Sequence, residues 1–246
     1  MHQFFVEPHQ IQGNRIVIEG NDVNHIKNVL RMKQGEELAV SNGQDGKEYR
    51  CGILEFEEDQ VICELRFVKE DGVELSSQVY LFQGLPKADK MEMIIQKCVE
   101  LGVYAVIPVA TKRCVVKLDD KKAKSKISRW QGIAEAAAKQ SKRRIVPEIM
   151  DVMSFKQAIQ YVKGFDVKVI PYELAEDMEK TKSIIGALKP GQKIAVFIGP
   201  EGGFDESEIQ EALDNGTEPI TLGKRILRTE TAGLTIMSWM MYQLEN

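Results

Sequence analysis

Three ingredients are scarce in this sequence of 246 residues: cysteine, histidine and uninterrupted apolar stretches. No apolar run approaches the roughly 20 residues that a bilayer span needs, and the N-terminus lacks the charged-then-apolar pattern of a secretory leader. The expectation is a cytoplasmic protein with no membrane partner. Cys51, Cys63, Cys98 and Cys114 form no C-x-x-C pair, and only three histidines accompany them. That argues against a disulfide framework and against a metal site, leaving reduced core thiols. The glycine motifs that cradle nucleotide phosphates are missing too, since neither G-x-G-x-x-G nor G-x-x-x-x-G-K-S/T occurs. Nothing repeats internally. What is present, 43% hydrophobic and 28% charged residues, suits one large or two ordinary globular domains.

The periodicity divides the chain. Residues 1–71 carry short β-prone runs at 4–6, 15–18, 38–41, 48–56 and 60–68, separated by Gly, Asn or Asp turns. Between them Asn21 is placed to cap a helix through Val23, Ile26, Val29 and Leu30. Composition changes at Lys69-Glu70-Asp71-Gly72. From 72 to 246 strands and helices alternate, with strands expected at 79–83, 105–109, 145–149, 167–171, 194–198 and 219–222. That alternation predicts an α/β domain with a mostly parallel sheet. In the helix after Gly84, Met91, Ile94, Ile95, Cys98 and Val99 recur at helical spacing and read as core.

The most informative stretch, 194–233, reads IAVFIGPEGGFDESEIQEALDNGTEPITLGKRILRTETAG. A short apolar strand runs into Gly199, Pro200, Glu201, Gly202 and Gly203, a loop with little side-chain bulk whose backbone can approach a ligand closely. Asp205 and Glu208 then form a capping box, with Phe204 and Ile209 at the staple positions. A second strand feeds a loop bearing Gly223, Arg225 and Arg228 before a last helix that opens near 229–231. Two glycine-bearing loops at the ends of neighbouring strands mark the place where open α/β sheets bind ligands.

A second signal is electrostatic. Between 121 and 144 stand Lys121, Lys122, Lys124, Lys126, Arg129, Lys139, Lys142, Arg143 and Arg144 against a single acid, Glu135, in a chain of formal net charge −4. Arg113 and Lys117 extend this local basic footprint, which favours RNA phosphates as partner over a merely solvated helix face. The last helix carries Ile236, Met237, Trp239, Met240, Met241, Tyr242 and Leu244 on nearly every side. A second subunit covering it, hence a homodimer, is the expectation.

GPEGG followed by a helix and then LGKRILRTETA resembles the RsmE family of bacterial 16S rRNA (uracil-N3) methyltransferases, members of the SPOUT superfamily of S-adenosylmethionine-dependent enzymes. HIKNVLRMKQGEEL and QKCVELGV carry the likeness over the rest of the chain. The resemblance implies an α/β fold: a SPOUT-type domain (72–246) with a C-terminal trefoil knot, preceded by a small PUA-like β-barrel (1–71) that contacts RNA. It implies S-adenosylmethionine as cofactor, held by Ile198, Gly199, Pro200, Glu201, Gly202, Gly203, Leu222, Gly223, Ile226, Leu227, Arg228, Thr231 and Ala232. Arg228, Arg225 and Glu230 become the catalytic candidates, with Glu201 or Glu230 placed to orient an arginine or accept a proton. His25, Arg31, Arg113, Lys139, Lys142, Arg143 and Arg144 become candidates for contact with 16S rRNA or the small ribosomal subunit. Gln3 stands where the family often has arginine, which leaves one RNA contact open. A tRNA ribose methyltransferase of the same superfamily would share the two loops but not HIKNVLR, and a non-catalytic assembly factor would have no use for the loops.

Overall fold

A computed structural model describes residues 1–70, 72–172, 175 and 177–245. Two compact units result: Met1–Glu74 together with Ala138–Val146, and Leu75–Ala137 together with Pro147–Asn246.

The first unit is built on strands β1 (Gln3–Phe5), β2 (Ile11–Gln12), β3 (Arg15–Glu19), β4 (Glu37–Ser41), β5 (Glu48–Phe56) and β6 (Gln60–Lys69). They form one six-stranded sheet in the order β1-β4-β5-β6-β3-β2. Only β1 and β4 run parallel; the other pairs are antiparallel. Period-two alternation puts Ile16 and Ile18 inside with Phe4, Ile26, Leu38, Val40, Cys51, Ile53, Val61 and Cys63. The helix expected to be capped by Asn21 is α1 (Asn21–Asn24), continuing as a π-helical turn over His25–Val29. Asn21 is its first residue and not its cap: Gly20, at φ +70°, takes the cap position without any side-chain hydrogen bond.

The basic segment departs most from its expected reading. Ala138–Val146 groups with the first unit, whereas the sequence pattern assigned it to the second. Arg143 and Arg144 are 4% and 1% exposed. Glu74 holds them: its carboxylate accepts from Arg143 Nε at 2.9 Å and from the backbone N–H groups of Arg144 and Ile145 at 3.0 and 3.2 Å. Arg144 Nη1 donates to the Lys69 carbonyl at 2.9 Å, and its other terminal nitrogen lies 3.6 Å from the Glu48 carboxylate. Gln3 donates to the Arg143 carbonyl at 2.8 Å. A buried guanidinium spent on these partners is not available to phosphate, so Arg143 and Arg144 are structural here and their RNA-contact reading is corrected. Ile145 is likewise drawn to Gly43 by a bridge, which shortens the strand expected at 145–149 to Glu148–Ile149.

The second unit alternates as anticipated. Its strands are β7 (Gln78–Gly84), β8 (Ala105–Ala110), β9 (Glu148–Ile149), β10 (Met153–Ser154), β11 (Val167–Pro171), β12 (Lys193–Ile198) and β13 (Glu218–Ile220). Its helices are α2 (Lys90–Glu100), α3 (Asp120–Gln140), α4 (Phe155–Tyr161), α5 (Met178–Gly186), α6 (Glu206–Asp214) and α7 (Thr229–Leu244), the last turn of α3 grouping with the first unit. The sheet order is β10-β8-β7-β12-β11-β13, with β9 also on β8, and every pair is parallel. β12 lies between β7 and β11, and all its residues after Lys193 are buried, as a parallel strand covered on both faces requires. Phe197 from it stacks on Phe82 of β7 at 4.7 Å. Along α7, Ile236, Met237, Met240 and Leu244 are buried, while Tyr242 is 73% exposed. The chain itself therefore covers only part of this helix.

Replacing Glu74 with glutamine removes the carboxylate charge that faces the buried Arg143 guanidinium at this contact. Removing one partner of such a pair costs about 3–5 kcal/mol. Glu74→Gln is expected to lower the urea midpoint of the first unit accordingly, followed by circular dichroism of its β signal. An unchanged midpoint would overturn the structural role given to this carboxylate.

Candidate functional site

The site is made where β12, β11 and β13 end beside β7. The two glycine loops follow β12 and β13, which β11 separates, so they do not end neighbouring strands as expected. Gly84 closes β7, and a Cβ placed on it would lie 2.6 Å from Pro200 Cδ and from the Pro200 nitrogen. A Cβ on Gly199 would come within 3.0 Å of the Gly203 backbone. The loop after β12 thus folds back on itself and against β7 because neither position carries a side chain. Gly203, at φ +67°, completes the turn with its N–H on the Pro200 carbonyl at 2.9 Å.

Capping then fixes the start of the next helix. Asp205 and Glu208 form the expected box at the N-terminus of α6. Glu208, only 3% exposed, also accepts the Lys112 N–H at 2.8 Å and so ties the loop after β8 to the helix. Arg113 donates to the Gly202 carbonyl at 3.2 Å. The second glycine loop is anchored by the Thr221 N–H on Thr181 Oγ1 at 3.0 Å, and it turns at Gly223, φ +108°.

Between the loops lies a cleft of about 550 Å³. Ile198, Gly199, Pro200, Glu201, Gly202, Gly203, Leu222, Gly223, Ile226, Leu227, Arg228 and Ala232 line it, and so do Arg225 and Arg113. Thr231 does not; it is exposed on α7. Glu230 does not either, and is drawn toward Lys90. The lining adds Lys90, Pro171, Tyr172, Phe204, Thr221, Lys224 and Thr229 to the expected set. Pro171 and Tyr172 follow directly from the strand-end rule, because β11 neighbours β12. Lys90 carries no motif of its own, and only the fold brings α2 to the loop.

Charge is distributed differently from expectation. Among the described residues neither carboxylate is paired with an arginine. Lys90 Nζ stands 2.9 Å from Glu201 and 3.5 Å from Glu230, and Glu201 also accepts the Lys87 N–H at 3.0 Å. The expectation that these acids orient an arginine is corrected accordingly. Burial raises the Glu201 carboxyl, but the hydrogen bonds from Lys90 and the backbone outweigh it and hold the group below its usual value. The bond from Glu201 in turn raises Lys90. A carboxylate stabilised in this way is a poor proton acceptor. Arg225 and Arg228 are exposed at the mouth, and Ile226 between them is 90% exposed.

The remaining RNA-contact candidates lie outside the cleft. In the first unit His25 is exposed, its ring edge-on to Phe4 at 6.3 Å, and Arg31 is exposed at φ +54°. Lys139 is paired with Asp22 at 3.0 Å, and Lys142 is exposed at φ +60°. Along α3, Lys121, Lys122 and Lys124 are exposed. Among the described residues no cluster of His, Cys, Asp and Glu could hold a metal ion, and no helix is long and apolar enough to cross a membrane.

Family models match on both parts: an RNA methyltransferase domain over residues 73–241 and an RNA methyltransferase PUA domain over residues 18–66. The chain is 41% identical to the ribosomal RNA small subunit methyltransferase E of Bacillus subtilis, over 100% of this chain and 98% of that protein. It is 34% identical to the protein of the same name from Mesomycoplasma hyopneumoniae, over 97% and 98%. Among solved structures, the ribosomal RNA small subunit methyltransferase E of Neisseria gonorrhoeae bound to S-adenosyl methionine superposes with a TM-score of 0.85 at 31% identity, covering 98% of this chain and 97% of that one.

The Lys90 pairing has a pH signature. Since the folded Glu201 carboxyl sits below its unfolded value, its contribution to stability is present above about pH 4.3 and is lost as pH falls through the folded value. The gap in melting temperature between wild type and Glu201→Gln should therefore be wider at pH 6 than at pH 3. A gap independent of pH would remove the ion pair from the account.

Proposed function

The chain belongs to the ribosomal RNA small subunit methyltransferase E family, and from that premise we propose that it transfers a methyl group from S-adenosylmethionine to N3 of a uridine in 16S rRNA. The observation that carries the reading is the glycine-walled cleft between two strand-end loops. Its volume falls within the roughly 300–1,000 Å³ of small-molecule sites. The close approaches at Gly84 and Gly199 keep side chains out of the loop's fold and leave backbone groups to meet a nucleoside-sized ligand. Mass mapping of 16S rRNA from cells with and without the gene tests it directly: the expected result is one methylated uridine lost in the deletion strain and restored by the gene. An unchanged map overturns the reading.

When bound, the cofactor supplies an electrophilic methyl group. The protein has two further tasks, holding the base in line with that methyl and stabilising the charge that appears as N3–H loses its proton. Arg228 and Arg225 suit the second task, being exposed at the mouth of the cleft. A guanidinium cannot act as the base at neutral pH, yet it can donate two parallel hydrogen bonds to an anion shared between N3 and the flanking carbonyl oxygens. Glu201 and Glu230 are engaged by Lys90, so the proton passes to water or to a group of the RNA. His25, Arg31, Lys142 and the exposed lysines of α3 supply phosphate contacts.

The trefoil knot of SPOUT domains and a homodimer belong to the same proposal. Trp239 and Met241 are half-buried and Tyr242 is exposed on α7, which leaves apolar surface for a second copy. Sedimentation at micromolar concentration should give a dimer, and Trp239→Glu should give monomers; a monomeric wild type ends the assembly proposal.

For Arg228, loss of one preorganised donor typically costs about 2.7–4 kcal/mol in the barrier. Arg228→Ala should slow single-turnover methyl transfer by about 10²–10³ at saturating RNA and cofactor. Arg228→Lys, which keeps the charge without the fork, should fall between. Should Arg228→Ala turn over at the wild-type rate, or lose only cofactor affinity, the catalytic role is withdrawn.

A further inference from the structure

Behind the cleft one hydroxyl joins three elements. Gln83 is completely buried at the end of β7. Its amide nitrogen donates to the Gly84 carbonyl at 3.0 Å and to Thr229 Oγ1 at 2.9 Å. Thr229 Oγ1 donates in turn to the Gly199 carbonyl at 2.6 Å. The direction of this chain is forced. An amide nitrogen has two protons and no acceptor capacity. Thr229 must therefore accept from Gln83, which leaves its own proton for Gly199. Gln83 Oε1 finds no partner among the described residues, so the side chain is held by its two donors alone.

Thr229 is also the first residue of α7, immediately after Arg228. Arg228 sits at the cap position in extended conformation, φ −65° and ψ 153°, and its side chain makes no capping bond. Its backbone is held by its own carbonyl, which accepts the Ala232 N–H at 2.8 Å, and by Thr229 beside it. The loop that begins at Gly199 and the arginine at the opposite lip of the cleft are registered to each other by the Thr229 hydroxyl.

We propose that Thr229, oriented by Gln83, is a positioning residue for methyl transfer: it sets Arg228 against the glycine loop and touches no reacting atom itself. The claim rests on the methyltransferase reading and adds to it a mechanical link between cofactor side and substrate side. Valine at 229 keeps the shape but leaves the buried Gln83 N–H without its acceptor and takes the hydroxyl from the partly buried Gly199 carbonyl, which typically weakens an arrangement by tenfold or more. Serine keeps the hydroxyl.

The experiment is single-turnover methyl transfer to 16S rRNA fragments, or to small ribosomal subunits lacking the modification where the wild type needs them, at saturating cofactor and RNA, run beside thermal melts. Thr229→Val should slow the rate by about tenfold or more while the protein remains folded, and Thr229→Ser should recover most of that loss. In an Arg228→Ala background the same valine substitution should cost much less, because residues that act through one another are not additive. Gln83→Met serves as a second probe if Thr229→Val does not fold. It removes the donor that orients Thr229, together with the bond to the Gly84 carbonyl, and should slow transfer several-fold, again less so without Arg228. A fully active Thr229→Val (or Gln83→Met, where that is the folded probe), a serine variant as slow as valine, or an equal cost in the Arg228→Ala background would each overturn the positioning role. A wild-type protein inactive both on the fragments and on small ribosomal subunits that lack the modification overturns both readings, whereas an active wild type with a fully active valine variant overturns only this one.

Discussion

The second unit depends on one steric constraint: main chain must meet main chain where its central strands end. Pro200 lies where a side chain on Gly84 would be, and Gly203 where one on Gly199 would be. Any larger residue at Gly84 or Gly199 would push the loop outward, and the cleft with it. The parallel sheet supplies the rigid frame for this approach, since β12 is hydrogen-bonded to β7 on one side and to β11 on the other.

Much of this arrangement was legible in the sequence because it is local. The capping box at Asp205 and Glu208, the apolar stripe of α2 and the buried run of β12 each depend on residues within a turn or two of one another. So did the two loops, whose glycines lie within one stretch of forty letters. Whatever depended on distant pairing was not legible. Lys90 stands 111 positions from Glu201 and Gln83 stands 146 from Thr229, and no periodicity joins them. The two acids of the loops were read beside the arginines that share their motifs, while the nearest cation in space comes from α2.

The basic run between 121 and 144 makes the same point through burial. A count of charges treats every lysine and arginine alike. The structure separates them into exposed lysines on α3, a pair at Lys139–Asp22, and two arginines withdrawn into the first unit. What separates the last two is Glu74, whose carboxylate meets both a guanidinium and the turning backbone. An acid near the boundary gave no sign in the sequence of being reserved for a segment so far along the chain.

That reservation bears on synthesis. Glu74 is 69 positions ahead of the arginine it holds. At ribosomal speeds of about 5–20 residues per second, those residues take several seconds or longer to arrive. The six strands are complete early, yet the Glu74 carboxylate and the backbone it will hold at Arg144 and Ile145 meet only when the later segment emerges. Although it comes first in the chain, the first unit is finished only after part of the second has left the ribosome. The order of domains along the polypeptide is therefore not the order in which they can be completed.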